Sequence, residues 1–129
     1  MTRTQPVPTA RSTSSVRAVQ AAAALSVLVL LWQFVTAGRL MSGDQAPHGA
    51  GAIGLHVATF LLVAATLLHA RAGGARWPVA VSAAVFVASF LQAALGSGGN
   101  MAAHVPGALV LTVGTVWVTA WAFRSSTRG

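Results

Sequence analysis

Four stretches of this chain, residues 18–38, 50–70, 77–95 and 102–123, contain no Asp, Glu, Lys or Arg. Each is about 19 to 22 residues long, which at 1.5 Å per residue spans the roughly 30 Å hydrocarbon core of a bilayer. Backbone N–H and C=O groups in lipid find no water, so stretches of this kind must be helices; a barrel needs alternating strands of about ten residues, and the chain has none. The short connections make neighbours antiparallel. The expected fold is therefore all-α, an integral membrane four-helix up-down-up-down bundle. Composition agrees, because only 7% of residues are charged and the mean hydropathy is +0.71, whereas about a quarter of a soluble domain is charged.

The arginines set the orientation. Arg3, Arg11 and Arg17 precede the first stretch, Arg71 and Arg76 join the second to the third, and Arg124 and Arg128 follow the fourth; Arg39 alone lies in an alternate connection, beside Asp44. Because positive charge is retained on the cytoplasmic side, this split predicts both termini in the cytoplasm and a multi-pass protein of the cell inner (cytoplasmic) membrane. Residues 1–17, rich in Thr, Ser and Pro, read as a disordered cytoplasmic tail, residues 18–124 as the transmembrane domain and residues 125–129 as a second short tail. A cleavable leader is the competing reading of the first stretch, given Arg17 before it and Val35-Thr36-Ala37 near its end. Its length, beyond the 7 to 15 residues typical of a leader's apolar region, favours a retained anchor.

Several kinds of chemistry are excluded. There is no Cys, so thiol catalysis and thiolate metal sites do not arise. The net charge of +7 is dispersed between apolar stretches and makes no nucleic-acid footprint. With no Asp, Glu, Lys or Arg at membrane depth, a proton-coupled transporter lacks its usual carboxylate.

What remains polar at membrane depth is His and Gln. Gln33, Gln92, His56 and His104 fall in the half near the external end, with His48 at its edge. Imidazole is a good axial ligand for haem iron, and two inward His on separate helices can hold a haem between them. Helices two and four enter from the same surface, so His56 and His104 are candidate ligands to haem iron. His48 is an alternative to His56, since Pro47 can open the helix and set His48 in its first turn. The competing reading makes the same residues helix-to-helix polar contacts of a cofactor-free membrane subunit. His69 lies at the opposite boundary, beside Arg71, and reads as a headgroup contact.

Smaller features fit a membrane bundle. Trp77-Pro78 opens the third helix, and Trp117 and Trp121 mark the same boundary on the fourth. Ala80, Ala84 and Ala88 form a smooth stripe suited to close approach, motivating a homodimer or a place in a larger membrane complex. The halves also look alike, with Gln33-Phe34-Val35 matching Gln92-Ala93-Ala94 and Leu55-His56-Val57 matching Ala103-His104-Val105.

The residues Gln33-Phe34-Val35, His48, His56, Leu91-Gln92-Ala93-Ala94-Leu95-Gly96 and His104-Val105-Pro106-Gly107-Ala108-Leu109 resemble the four-helix half-unit of haem A synthase and related small b-type cytochrome bundles. They are also similar to a family of small four-helix membrane proteins of high-GC bacteria. The resemblance covers residues 18–124. It implies haem b held by His near the ends of helices two and four, here His56 or His48 together with His104, and a role in electron transfer or haem handling. Haem A synthase has two such units and a carboxylate tied to its oxygenation chemistry; this chain has one unit and no Glu, which points away from synthase activity and from an enzyme.

The arginine split yields a direct expectation. A reporter fused after Gly129 should read as cytoplasmic, and one placed between Met41 and Ala46 as external; either result reversed would overturn the orientation.

Overall fold

A computed structural model describes residues 10–126. Among them are four helices, α1 (Ala10–Leu40), α2 (Ala46–Arg71), α3 (Trp77–Ser97) and α4 (Met101–Ser126), and no strand. All four are long and apolar enough to cross a membrane. Each expected stretch lies within one helix. The disordered tail expected over residues 1–17 falls partly outside the described residues, as does Arg128; within them α1 is already helical from Ala10, because Ala10 to Arg17 holds no Pro or Gly to stop a helix.

The first three helices end by one device. Gly43, Gly73 and Gly99 have φ of 85°, 89° and 74°, a left-handed conformation that glycine adopts without Cβ strain. At each, two N–H groups fold back onto the last carbonyls: Gly43 to Leu40 and Asp44 to Arg39, Gly73 to Ala70 and Gly74 to His69, Gly99 to Gly96 and Asn100 to Leu95. This is the Schellman closure, which satisfies orphan carbonyls and reverses the chain within a few residues. Pro47 and Pro78 then open α2 and α3 in the first turn, where a missing N–H costs nothing.

The helices form a ring in chain order, closed by α4 against α1; the diagonals α1–α3 and α2–α4 make no backbone approach. Its interior is narrow. One core layer joins Val19, Ala22, Ala23, Leu62, Ala65, Val118 and Ala122, and a second joins Leu30, Leu55, Val85 and Leu111. Ser26, Thr59, Thr66 and Thr115 are fully buried among them, and each donates its hydroxyl to the carbonyl four residues earlier. A buried hydroxyl satisfied within its own helix needs no partner across the interface. The larger apolar side chains point outward, as with Val110 at 73% and Ile53 at 68% exposure, an arrangement suited to lipid and not to water.

The two hairpins superimpose in sequence register. Buried positions of α1 recur on α3 at a constant offset of 59, as in Val19 and Pro78, Ala23 and Ser82, Ser26 and Val85, Leu30 and Ser89. Those of α2 recur on α4 at an offset of 56, as in Leu55 and Leu111, Thr59 and Thr115, Leu62 and Val118. The offset changes because α1 runs two residues further beyond Gln33 than α3 does beyond Gln92 and the connection 41–45 is longer than 98–100. Packing thus reveals a repeat whose side chains differ at most positions.

Leu62 has 0% exposure, so Leu62→Ala should lower unfolding free energy by about 1–3 kcal/mol. This is less than in a water-soluble core, because removal from lipid leaves mainly the cavity term. Leu28→Ala, at an outward position, should stay within about 0.5 kcal/mol. Reversible unfolding in mixed detergent micelles measures both.

Candidate functional site

One end of the ring carries the connections 41–45 and 98–100 and collects His48, His104, Gln33, Gln92 and Thr36. His48 lies in the first turn of α2 and His104 in the first turn of α4. These helices stand on a diagonal, yet the two imidazoles meet across the bundle axis with ring centroids 6.4 Å apart and planes at 72°.

Each ring is tethered through Nδ1. His104 Nδ1 lies 2.9 Å from the Gln92 carbonyl oxygen; a carbonyl only accepts, so Nδ1 carries the proton and donates. His48 Nδ1 lies 3.2 Å from Thr36 Oγ1. That hydroxyl donates to Trp32 O at 2.9 Å, so it accepts from His48 Nδ1–H. In both residues the tether occupies Nδ1 and leaves Nε2 as the nitrogen that could bind a metal.

Beneath the histidines lie the glutamines. Gln33 packs on Gly51 of α2, where an added Cβ would stand 3.1 Å from its amide carbon, and Gln92 packs on Gly107 of α4 so closely that a Cβ would overlap its Nε2. The Oε1 atoms of both are buried without a hydrogen-bond partner. In the repeat register Gln33 matches Gln92, His48 matches His104 and Gly51 matches Gly107. The site is therefore two copies of one unit, a Gln on the first helix of a hairpin packed against the Gly of a His-x-x-Gly turn on the second. Gly96 completes it on α3, where a Cβ would come 2.9 Å from His104 Cε1.

The structure brings His48, not His56, to His104. His56 lies eight residues beyond His48, about 12 Å further along α2 and about 80° around it. That rotation turns it to α3, where its Nδ1 bonds Ser89 Oγ at 2.8 Å and its ring stacks on Phe90 at 4.0 Å. The sequence match of His56 with His104 is corrected accordingly to His48 with His104. His69 is buried at the far end, with Nδ1 3.0 Å from Ser15 Oγ and its ring edge-on to Trp121; it is a packed residue, not an exposed headgroup contact. Thr36 and the two glycines carried no sequence signal singling them out, although the His-x-x-Gly spacing common to both hairpins was there to be read.

Among the described residues no three His, Asp or Glu side chains gather as a metal site. The alanine stripe faces outward. Ala84 is exposed and Ala88 half-buried, and with Val110 and Gly114 they line an apolar groove of about 390 Å³ between α3 and α4. On α1 the matching positions are Leu25 and Val29, and Val29 covers Gly54, its methyl lying 3.8 Å from where a Cβ on that glycine would stand. Compared with known protein families, curated proteins and solved structures, the chain matches none of them.

Gly107→Ala should displace Gln92 and lower stability by about 1–3 kcal/mol through overpacking. Gly49→Ala, which meets nothing within 4 Å, should be neutral or gain up to about 1 kcal/mol of helix propensity. Adding Gln92→Ala to Gly107→Ala should recover most of the loss. Thermal unfolding in detergent reads all three, and a Gly107→Ala protein as stable as the parent would contradict the contact.

Proposed function

We propose that this protein is a haem b-binding subunit or electron carrier of the cytoplasmic membrane, with His48 and His104 as the axial pair. The observation that carries the reading is the pair of imidazoles, each tethered through Nδ1, at equivalent positions of two diagonal helices. Metal–nitrogen bonds of about 2 Å on either side of one ion put the centres of two opposed imidazoles roughly 6 to 6.5 Å apart, and the 6.4 Å separation fits. The 72° between planes is compatible with two rings turned relative to each other on a common axis.

Bound haem would supply one-electron chemistry. The chain's part is to fix its ligands. Thr36 and the Gln92 carbonyl hold each Nδ1–H, which raises the basicity of the opposite nitrogen and sets ring rotation. Gln33 and Gln92 present buried amide oxygens to the same layer and exclude water from it. Asp44, the sole acidic residue of the chain, is exposed in the 41–45 connection. The layer itself holds no carboxylate, in keeping with binding or electron transfer instead of oxygenation chemistry. In the orientation that the arginines favour, the arginine-bearing end faces the cytoplasm and the histidine pair the external side. A second copy, docked through the open α3–α4 groove, is part of the same proposal.

Absorption spectra of the protein purified in detergent, with haem supplied, test the assignment. The parent should show a Soret band with sharp reduced α and β bands. His48→Ala or His104→Ala should convert the haem to high spin or lose it, whereas His56→Ala and His69→Ala should leave the spectrum unchanged. A parent that takes up no haem would favour the cofactor-free reading, in which Thr36–His48 and Gln92–His104 serve as helix-to-helix bonds. Loss of the spectrum in His56→Ala with His48→Ala silent would instead move the ligand to His56.

A further inference from the structure

The arginine-bearing end breaks the internal repeat. Trp77 on α3 meets Trp117 and Trp121 on α4 there, tilted against Trp117 with ring centroids 5.3 Å apart and edge-on to Trp121 at 5.4 Å. With Arg124 and Ser125 they wall a cleft of about 290 Å³. At the matching register the other hairpin has Ala18, Leu61, Ala65 and Leu68 in place of Trp77, Trp117, Trp121 and Arg124. Neither the fold nor the duplication requires the cluster, since the first hairpin closes without it.

Its parts are held in place. The Trp121 ring meets the buried His69 ring edge-on at 5.5 Å, and Ser125 Oγ donates to Trp121 O at 2.9 Å. Arg124 Nε donates to Ala120 O at 3.2 Å, which lays the guanidinium along the helix at the mouth of the cleft. Arg76 immediately precedes Trp77 and is exposed beside the same end. An aromatic belt alone would scatter indole rings around a bundle at the headgroup level; here three are joined into one wall with a fixed cation at its rim.

We propose that this cleft binds an anionic phospholipid, its phosphodiester against Arg124 and its glycerol and upper acyl carbons on the indole faces. Indoles are amphipathic and sit at the ester level of a bilayer, and a guanidinium pairs with phosphate in a fork geometry. A trimethylammonium headgroup is disfavoured because its charge would lie beside Arg124. The inference rests on the helices crossing a membrane and is independent of the haem assignment.

Native mass spectrometry of the full chain in a neutral detergent supplies the test, with phosphatidylglycerol and phosphatidylcholine of identical acyl chains as probes and glycerophosphate as the free headgroup. Phosphatidylglycerol should be retained about fivefold better than phosphatidylcholine, the selectivity expected from one basic side chain near the membrane surface. Arg124→Gln should remove that preference. Trp117→Leu, at an exposed position that leaves the core untouched, should weaken retention of phosphatidylglycerol by a similar factor, and Trp32→Leu at the opposite end should change nothing. Equal retention of the two lipids by the parent, or an unaltered preference in Arg124→Gln, would overturn the proposal. Full displacement of lipid by glycerophosphate would also overturn it, since the site would then be one for a soluble phosphate.

Discussion

The constraint on which everything else depends is that a helix satisfies its own backbone. Inside a bilayer no water stands ready to accept an orphan N–H, so a chain whose four helices are long and apolar enough to cross one has to keep each span helical and end it outside the apolar layer. The three Schellman closures at Gly43, Gly73 and Gly99 meet this demand with short connections. Short connections in turn force antiparallel neighbours and a closed ring of four. Because the exterior is apolar, burial of apolar surface distinguishes inside from outside only weakly. Close approach does so instead, and the interior is made of Ala, Ser, Thr and a few larger residues.

Polar side chains therefore carry a disproportionate share of the specificity. Most hydroxyls bond within their own helix and act as small, satisfied packing groups. Side chains that reach across helices occur along the bundle, in His56 with Ser89 and His69 with Ser15, but at one end His48, His104, Gln33 and Gln92 gather in a single layer in which the two glutamines each leave an oxygen without a partner. An unsatisfied buried amide oxygen costs on the order of 1–3 kcal/mol, and the repeat carries the cost twice, at Gln33 and at Gln92. Such a cost is retained most readily where the same layer has a task beyond folding. The opposite end holds the complementary asymmetry, a tryptophan wall present in one hairpin and absent from the other.

Internal duplication links these observations. Two hairpins of the same register place equivalent residues on opposite sides of an axis through the ring, so one residue type at one position becomes a facing pair without further design. His48 and His104 meet for this reason. Divergence then acts locally: α1 extends two residues further beyond its glutamine than α3 does, and the Nδ1 of His48 meets a threonine hydroxyl where that of His104 meets a backbone carbonyl. Val29 covers Gly54 on the first hairpin, whereas Ala84 and Ala88 leave the equivalent groove open.

Much of this was legible from the sequence alone. The four spans follow from uninterrupted apolar stretches, and the polar layer from the scarcity of His and Gln, because helix length and hydropathy are local properties. The pairing of histidines was not legible, since His48 and His56 both lie near the start of the same helix and either could be matched with His104. A separation of eight residues is small in sequence but amounts to about 12 Å of depth and 80° of rotation, and only packing decides which face of α2 looks across the axis. The orphaned glutamine oxygens, the contact of each Gln with its glycine and the joining of three tryptophans into one wall are likewise decisions of the tertiary structure, since each depends on distances between helices that no single span contains.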